Sequence, residues 1–269
     1  MLDNTKQFSG RWAIILGGSS GFGLASLNKL AAHGMNIALL YREMAAPEKK
    51  LKQDLAEISA RNNVQILPFN MNALEEAGRN SFMQQFNQAT GKKKCVRLLL
   101  HSIARGNLKP LLAANAEEDV LSAEDIQLTT YAMSNSLLDW TRHLLNEDLF
   151  CEDGRVIGLT SEGATKYWAN YAAVSIAKAS LQSLCTNMAV AFAKYGIKTN
   201  LIQAGITKTP ALTKISGNEM LAELTVQRNP FGRLTEPADV AAVVYLLCTD
   251  EASWINGSLI HVDGGEHCR

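Results

Sequence analysis

The amino-acid sequence predicts an α/β fold built on one doubly wound parallel sheet. Three observations lead to this prediction. Short apolar runs alternate with longer amphipathic ones, a glycine-rich turn follows the first apolar run, and no linker, repeat or charge block divides the 269 residues. Runs that are apolar almost throughout are typical of strands buried on both faces of a parallel sheet. Right-handed strand–helix crossovers cover both sides of such a sheet.

Seven apolar segments have the length and composition of buried strands. In chain order they are RWAIILG (11–17), MNIALLY (35–41), VQILPF (64–69), VRLLLHS (96–102), RVIGLTS (155–161), IKTNLIQ (197–203) and SLIHVDG (258–264). Helical patterns lie between them at 21–33, 47–61, 73–90, 124–147, 171–195 and 236–249. This alternating order predicts a single-domain, Rossmann-like sheet of about seven strands, flanked by helices and spanning residues 1–269.

One long segment, from Gly205 to about Pro237, has no clear element. It holds Pro210, Gly217 and Pro230 with short helical patches, and it follows the sixth strand. A long excursion from the carboxyl edge of a parallel sheet is a candidate cover for a bound substrate. We therefore expect a substrate-binding lid near residues 205–230.

The composition excludes several classes of partner. Lysine plus arginine number 26 and aspartate plus glutamate also 26, so no net charge draws the protein toward nucleic acid or an acidic membrane. The five cysteines show no paired spacing, which argues against a metal site and a disulfide framework. The sequence has no signal-like start and no apolar run of membrane-spanning length. We expect a cytoplasmic protein in a reducing compartment.

A glycine-rich turn follows the first strand, in LGGSSGFGLASLNKLAAHG, where the glycines have the spacing Gly-x3-Gly-x-Gly. Glycine permits a tight turn and a close approach of the backbone to a pyrophosphate, whose charge suits a helix N-terminus. Between a first strand and a first helix, such a turn indicates a dinucleotide site. The residues expected to contact the nucleotide here are Gly17, Ser19, Ser20, Gly21, Phe22 and Gly23.

The residue at the end of the second strand helps to determine whether such a site binds NADH or NADPH. An acidic side chain there bonds the ribose 2'-hydroxyl, whereas a basic one pairs with a 2'-phosphate. The strand ends LLYREM, with Arg42 in that place and Glu43 directly after it. The planar fork of arginine suits phosphate, which favours NADPH over NADH. Because Glu43 is adjacent, an exposed arginine at a loop start stays an alternative.

Tyr171 and Lys178 lie seven residues apart in NYAAVSIAKASL. On a helix this spacing is almost two turns, which places both side chains on one side and about 10 Å apart along the axis. A spacing of four would place them about 6 Å apart. The larger separation leaves room for a longer, conjugated substrate between tyrosine and cofactor.

Over residues 10–265 the chain resembles the short-chain dehydrogenases/reductases, and its details resemble their enoyl-acyl carrier protein reductase branch. That branch has Tyr-x6-Lys and a fourth strand ending His-Ser-Ile, as this chain does at His101, Ser102 and Ile103. Carbonyl-reducing members have Tyr-x3-Lys and a serine thirteen residues before the tyrosine, where this chain has Gly158. The segments QAGITKTPAL and NPFGRLTEPADVAAVVYLLC also match.

The resemblance implies roles for particular residues. Tyr171 would hydrogen-bond the thioester carbonyl and stabilise the enolate, and Lys178 would hold the nicotinamide ribose and lower the proton affinity of the phenol. His101 is expected to pack rather than to transfer protons. The further cofactor contacts implied are Asn70 and Met71 at the adenine, Ser102 and Ile103 beside the nicotinamide, and Gly205, Ile206 and Thr209 at the nicotinamide and pyrophosphate. The resemblance also implies a homotetramer.

Two departures from the family pattern affect the site. Many enoyl reductases have a second aromatic residue ten positions before the tyrosine, and Ser161 stands there. Either its hydroxyl replaces the ring, which makes Ser161 a catalytic candidate, or Tyr167 or Trp168 supplies the missing wall. Ile206 replaces a usual proline, and its bulk should narrow the nicotinamide end of the site.

The sequence therefore predicts NADPH-dependent reduction of the carbon–carbon double bond of an enoyl thioester, as in fatty acid elongation. The acyl carrier, acyl carrier protein or coenzyme A, stays open. Two alternatives are a ketoacyl-type carbonyl reductase with an atypical site and a non-catalytic protein that senses NADPH.

Overall fold

The computed structural model describes residues 7–115 and 117–269, in which seven strands form one sheet. The strands are β1 (Trp12–Leu16), β2 (Asn36–Tyr41), β3 (Ile66–Asn70), β4 (Val96–His101), β5 (Phe150–Thr160), β6 (Ile197–Ala204) and β7 (Leu259–Val262). Their order is β3-β2-β1-β4-β5-β6-β7, and every neighbouring pair is parallel. The predicted doubly wound sheet is confirmed. Its order reverses between β1 and β4, which makes their carboxyl ends the expected place for a ligand.

Helices cover both faces of the sheet. They are α1 (Gly21–Ala32), α2 (Ala45–Asn62), α3 (Glu76–Thr90), α4 (Ala123–Thr130), α5 (Ser136–Asn146), α6 (Ala172–Ala191), α7 (Asn218–Arg228) and α8 (Pro237–Cys248). Successive residues of a strand point to opposite faces, so Ile15 packs with α1, α2 and α8 whereas Ile14 packs with α3, α5 and α6. Both side chains are fully buried, as expected for a sheet with two cores.

The structure divides the helix predicted at 124–147. A π-helical turn, Tyr131–Asn135, separates α4 from α5. Met133 and Ser134 in this turn are buried, and the turn contacts α6. Single π turns within helices are frequent at functional sites, and this one lies against the helix that carries Lys178.

Three further differences from the prediction concern β5, α6 and α7. Strand β5 begins at Phe150 rather than at 155, because Phe150 is buried and pairs with β4. Helix α6 begins at Ala172, so Tyr171 is the residue directly before it. Helix α7 lies in the segment that the sequence left without an element.

Buried arginines join the sheet to the end of α8. Arg155 Nε donates to the carbonyl of Leu247 at 2.8 Å, and Arg97 Nε donates to that of Cys248 at 2.9 Å. These carbonyls belong to the last turn of α8, where the helix itself supplies no donors. Both guanidinium groups also pair with Asp153. Arg97 and Asp153 lie near the beginnings of β4 and β5, at the edge of the sheet opposite the carboxyl ends of the strands.

All five cysteines are free thiols, and only Cys268 is exposed. Among residues 7–115 and 117–269, the helices fall short of the length and apolar character that crossing a membrane requires.

Candidate active site

Two neighbouring cavities open at the carboxyl edge of the sheet. The first, which we call the switch-point groove, is lined by residues that include Gly17, Ser19, Ser20, Arg42, Met71, Ser102 and Ile103. The second, which we call the apolar pocket, is lined by residues that include Phe22, Met133, Ser161, Trp168, Tyr171, Val174, Gly205, Ile206, Thr209 and Leu221. Ala104, Ala211 and Lys214 line both cavities, which places them side by side.

Most of the predicted site residues therefore lie at one of these two cavities. Gly21 and Gly23 belong to the turn that begins α1. Asn70 and Lys178 are not among the residues lining either cavity. The individual cofactor contacts assigned from the sequence stay predictions.

The turn after β1 leaves no room for a side chain at Gly17 or at Gly23. A Cβ on Gly17 would lie 2.6 Å from the carbonyl oxygen of Ser102, and one on Gly23 would lie 2.5 Å from the carbonyl oxygen of Gly17. Ser20, which precedes α1, makes no side-chain hydrogen bond to the first turn of the helix. The uncapped amides of a helix N-terminus behind a closely packed turn fit the pyrophosphate of a dinucleotide.

Arg42 and Glu43 both line the switch-point groove where β2 ends. The amide of Asn70 holds this segment: its Oδ1 accepts a hydrogen bond from Glu43 N at 3.1 Å, and its Nδ2 donates to Glu43 O at 2.9 Å. Asn70 thus fixes the backbone beside Arg42, while Met71 itself lines the groove.

Tyr171 and Ser161 meet at the wall of the apolar pocket. Their hydroxyl oxygens are 3.4 Å apart. The tyrosine ring approaches the main chain after β5 because residue 163 is glycine, where a Cβ would lie 2.6 Å from Tyr171 Cε1. Burial raises the pKa of Tyr171, and the hydrogen bond with Ser161 offsets only part of this effect. Lys178 is not among the causes of this shift, so the lowering expected from its charge stays a prediction. With the pKa above the ordinary value, the phenol is a protonated donor at neutral pH.

Lys178 is buried on α6, and its Nζ donates to the carbonyl of Leu159 at 2.7 Å. Burial lowers the pKa of Lys178 to about 8. His101 lies close to it: burial, with a smaller effect of the Lys178 charge, lowers the pKa of His101 to about 3. The neutral imidazole hydrogen-bonds the Ser136 hydroxyl at 2.8 Å, in keeping with a packing role.

The structure distinguishes the two aromatic residues that could replace the missing ring. Trp168 lines the apolar pocket, whereas Tyr167 is 87% exposed. Leu212, Ile215 and Leu221, from the predicted lid, also line the pocket. That segment therefore forms one wall of it.

Three charged residues at the pocket were not predicted from the sequence. Glu162 and Glu266 line the apolar pocket, and Arg228 bonds both carboxylates. Burial raises the pKa of Glu266, which Arg228 only partly offsets. Burial also raises that of Glu162, but hydrogen bonds from Arg228 and Lys166 lower it overall. Glu162, Arg228 and Glu266 lie in three segments that are far apart in the chain, so no spacing in the sequence indicates that they meet.

A parallel sheet with a glycine turn at its switch point, a tyrosine directly before α6 and a lysine on α6 define a short-chain dehydrogenase/reductase. Within that class the chain belongs to the enoyl-(acyl carrier protein) reductase family, whose sequence model matches residues 17–267. It is an oxidoreductase that uses a nicotinamide cofactor.

Individual relatives include enzymes that act on thioesters. The chain is 35% identical over 173 residues to the enoyl-acyl-carrier-protein reductase (NADH) FabI of Aquifex aeolicus (strain VF5), an alignment that covers 63% of this chain and 62% of that protein. It is 30% identical over 257 residues, or 94% of this chain and 95% of the relative, to the probable 2,4-dienoyl-CoA reductase ((2E)-enoyl-CoA-producing) of Bacillus subtilis (strain 168). A crystal structure of enoyl-acyl-carrier-protein reductase (NADH) from Aquifex aeolicus VF5 superposes with a TM-score of 0.82, 26% identity and coverage of 98% of both chains.

Proposed function

We propose that this protein reduces the carbon–carbon double bond of an enoyl thioester. The observation that carries the proposal is the protonated hydroxyl of Tyr171 on the wall of an apolar pocket, next to a groove that fits a dinucleotide. An apolar wall suits an acyl chain, and a fixed hydroxyl suits its carbonyl oxygen.

The chain's own contribution is to stabilise charge. When bound, the reduced nicotinamide supplies a hydride, which the β-carbon of the enoyl group accepts. Negative charge then develops on the thioester carbonyl oxygen, and a donor aimed there helps more in the transition state than in the ground state. Tyr171 is that donor. Because its pKa is raised, it keeps its proton and acts by hydrogen bonding. The enolate then takes a proton from solvent at its α-carbon, which completes the reduction.

The cofactor we propose is NADPH. Arg42 is an exposed cation at the groove, and its guanidinium would pair with a 2'-phosphate. Glu43 lines the same groove and favours NADH instead. The Aquifex relative is named as an NADH enzyme, and comparing the Kd of NADPH with that of NADH tests the proposal.

Carbonyl reduction is a second candidate, because a specific contact favours it. Ser161 Oγ and the Tyr171 hydroxyl are close enough for both to bind one carbonyl oxygen. The serine position of carbonyl reductases is occupied by Gly158, which has no hydroxyl, and a Cβ there would lie 2.7 Å from the Leu201 side chain. Lys178 bonds the Leu159 carbonyl, and Tyr171 has a raised pKa rather than a lowered one. We favour enoyl reduction for these reasons.

One assay separates the candidates. The absorbance of NADPH, and then of NADH, is followed with a crotonyl-type thioester and with a ketoacyl thioester. Oxidation with the enoyl substrate alone supports enoyl reduction, and oxidation with the keto substrate alone supports carbonyl reduction. Nucleotide binding without oxidation of either substrate supports a sensing protein.

Several finer points rest on the sequence: the carrier, the pathway and the tetramer come from the family resemblance, the lid comes from the segment after β6, and the compartment comes from the composition. We propose acyl carrier protein or coenzyme A as the carrier, fatty acid biosynthesis as the pathway, a lid at residues 205–230, and a cytoplasmic homotetramer. Light scattering tests the tetramer directly, and comparing the two carriers in the same assay tests the first point.

A further inference from the structure

Three charged side chains from separate parts of the chain meet beside the apolar pocket. Glu162 lies in the short turn after β5, Arg228 is the last residue of α7, and Glu266 lies in the turn after β7. Arg228 Nη2 is 2.7 Å from Glu162 Oε2 and 2.8 Å from Glu266 Oε1, and Arg228 Nη1 is 3.3 Å from Glu162 Oε1. One guanidinium thus bonds two carboxylates at once.

Burial distinguishes this cluster from an ordinary surface ion pair. Glu162 is 9% exposed and Glu266 is 2% exposed. Exposed pairs contribute little, because solvent screens them. A buried carboxylate that loses its partner is left without compensation, which is strongly unfavourable. Displacing Arg228 from Glu162 and Glu266 is therefore unfavourable, which keeps its guanidinium in place.

The cluster is balanced in charge and is not a vacant cation site. Lys166 Nζ lies 2.5 Å from Glu162 Oε1, which gives two carboxyl groups and two cations. The function of such a neutralised cluster is to hold the segments that carry its members in fixed relative positions.

Those segments are three walls of the pocket. Helix α7, which ends at Arg228, contributes Leu221 to the lining. Glu162 directly follows Ser161, whose hydroxyl contacts Tyr171. Glu266 backs the loop after β6: its Oε2 accepts from Ile206 N at 3.4 Å, and a Cβ on Gly205 would lie 2.7 Å from the same oxygen. Through Glu162 and Glu266, Arg228 connects α7 to the segment after Ser161 and to the loop after β6.

We propose that Arg228 is a positioning residue for the acyl substrate, which it serves by fixing α7 against the Ser161–Tyr171 side of the pocket. The inference rests on the proposed function insofar as the pocket holds an acyl group. Arg228 acts through Glu162 and Glu266 and has no direct role in the chemistry. Its loss leaves two buried carboxylates facing each other, so α7 separates from the pocket while the glycine turn and Arg42 of the switch-point groove keep their positions.

The test compares Arg228→Met with Arg233→Met. Arg233 is a matched control because it also binds one carboxylate, that of Asp239, through two hydrogen bonds of 2.7 and 3.0 Å, but on the exposed surface. Hydrogen exchange of residues 218–228 is measured first, since it needs no substrate. Exchange there should accelerate at least about tenfold in Arg228→Met and should stay unchanged in Arg233→Met.

Kinetics provide the second measurement. In Arg228→Met the KM for the thioester should rise by about tenfold or more, and by a larger factor than the nucleotide Kd. Arg228→Lys keeps the charge but cannot bond two carboxylates in the same geometry. Its KM for the thioester should therefore lie between those of the wild type and Arg228→Met. Equal exchange in α7 for wild type and Arg228→Met, or equal effects of Arg228→Met and Arg233→Met, would overturn the proposal.

A folding failure has its own control. If Arg228→Met does not fold, the triple variant Glu162→Gln, Arg228→Met, Glu266→Gln removes the uncompensated charges and is measured instead. Fast exchange in α7 of the folded triple variant supports the proposal, and wild-type exchange overturns it. Lack of enoyl reduction by the wild-type protein would refute the proposed function, whereas the exchange measurement on α7 would still decide the role of Arg228.

Discussion

The hydroxyl oxygen of Ser161 lies 3.4 Å from that of Tyr171, at the wall of the apolar pocket. Both are candidate donors to a carbonyl oxygen, and substitutions separate their roles. Tyr171→Phe keeps the ring but removes the raised-pKa hydroxyl, so enoyl reduction should slow by about a hundredfold, equivalent to ~3 kcal/mol. Nucleotide affinity, measured by fluorescence titration, should not change.

Ser161→Ala should reduce enoyl turnover much less than Tyr171→Phe does. The hydroxyl of Ser161 bonds Tyr171 and is expected to orient it. If Ser161→Ala abolishes turnover while Tyr171→Phe remains near wild type, the enolate is held by other groups and the central assignment fails. Equal, large losses with a ketoacyl substrate would instead favour carbonyl reduction.

Cofactor choice is tested at Arg42. Arg42→Ala should weaken NADPH binding far more than NADH binding, because it removes a charge-assisted contact to the 2'-phosphate. Asn70→Ala is the control, since Asn70 holds the backbone of Glu43 through two hydrogen bonds. It should affect both nucleotides to a similar, smaller extent. Equal losses of NADPH and NADH affinity in Arg42→Ala would show that Arg42 only begins a loop.

The strands and the glycine turn could be predicted from the sequence because their signals are local. Buried strands are continuous apolar runs, and the glycine turn is recognised from its spacing within one short segment between a strand and a helix. The π turn at Tyr131–Asn135 was not predicted, because it depends on contacts with α6 that a helical pattern does not encode.

The site was predicted less completely than the fold. Arg228 bonds partners 66 and 38 positions away in the chain, so no spacing rule identifies them. The choice between Tyr167 and Trp168 depends on how the turn after β5 directs each side chain, which adjacent positions in a sequence cannot distinguish.

Lys178 predicts a pH dependence of nucleotide affinity. Burial lowers its pKa to about 8 in the free protein. Below that pH the ammonium is charged and can bond ribose hydroxyls as the stronger donor, so affinity should fall as the pH rises through about 8. Lys178→Arg keeps its charge, so its affinity should be flat over the same range. A wild-type Kd that is constant from pH 7 to about 9.5 would show that Lys178 does not hold the nucleotide.

The same lowered pKa has a consequence for stability, with the opposite sign to the binding effect. Between about pH 8 and the ordinary lysine value, the unfolded chain binds more protons at this position than the folded chain does. The contribution of Lys178 to the free energy of unfolding therefore increases as the pH rises through that window. Urea unfolding of the nucleotide-free protein should show a smaller increase in Lys178→Met than in wild type.

The final prediction concerns acid stability at the opposite end of the sheet. Burial raises the pKa of Asp153, but hydrogen bonds from Arg155 and Lys198 outweigh it and hold that pKa well below its usual range. A depressed carboxyl pKa contributes stability above the unfolded value of 3.8, and this contribution is lost as the pH falls below it. Asp153→Asn should therefore destabilise the protein at neutral pH by ~3 kcal/mol, because Arg155, which is 1% exposed, loses its carboxylate.

Asp250→Asn is the matched control for that experiment. Asp250 also bonds Arg97, at 2.9 Å, but its side chain is 95% exposed, so its loss should matter much less. Urea unfolding followed by circular dichroism from neutral pH to about pH 3 checks both variants. The difference between wild type and Asp153→Asn should narrow below about pH 4, as the wild-type carboxylate begins to lose its advantage over the amide. A difference that is constant with pH would show that Asp153 stabilises the fold by packing rather than through its charge, since packing is indifferent to protonation.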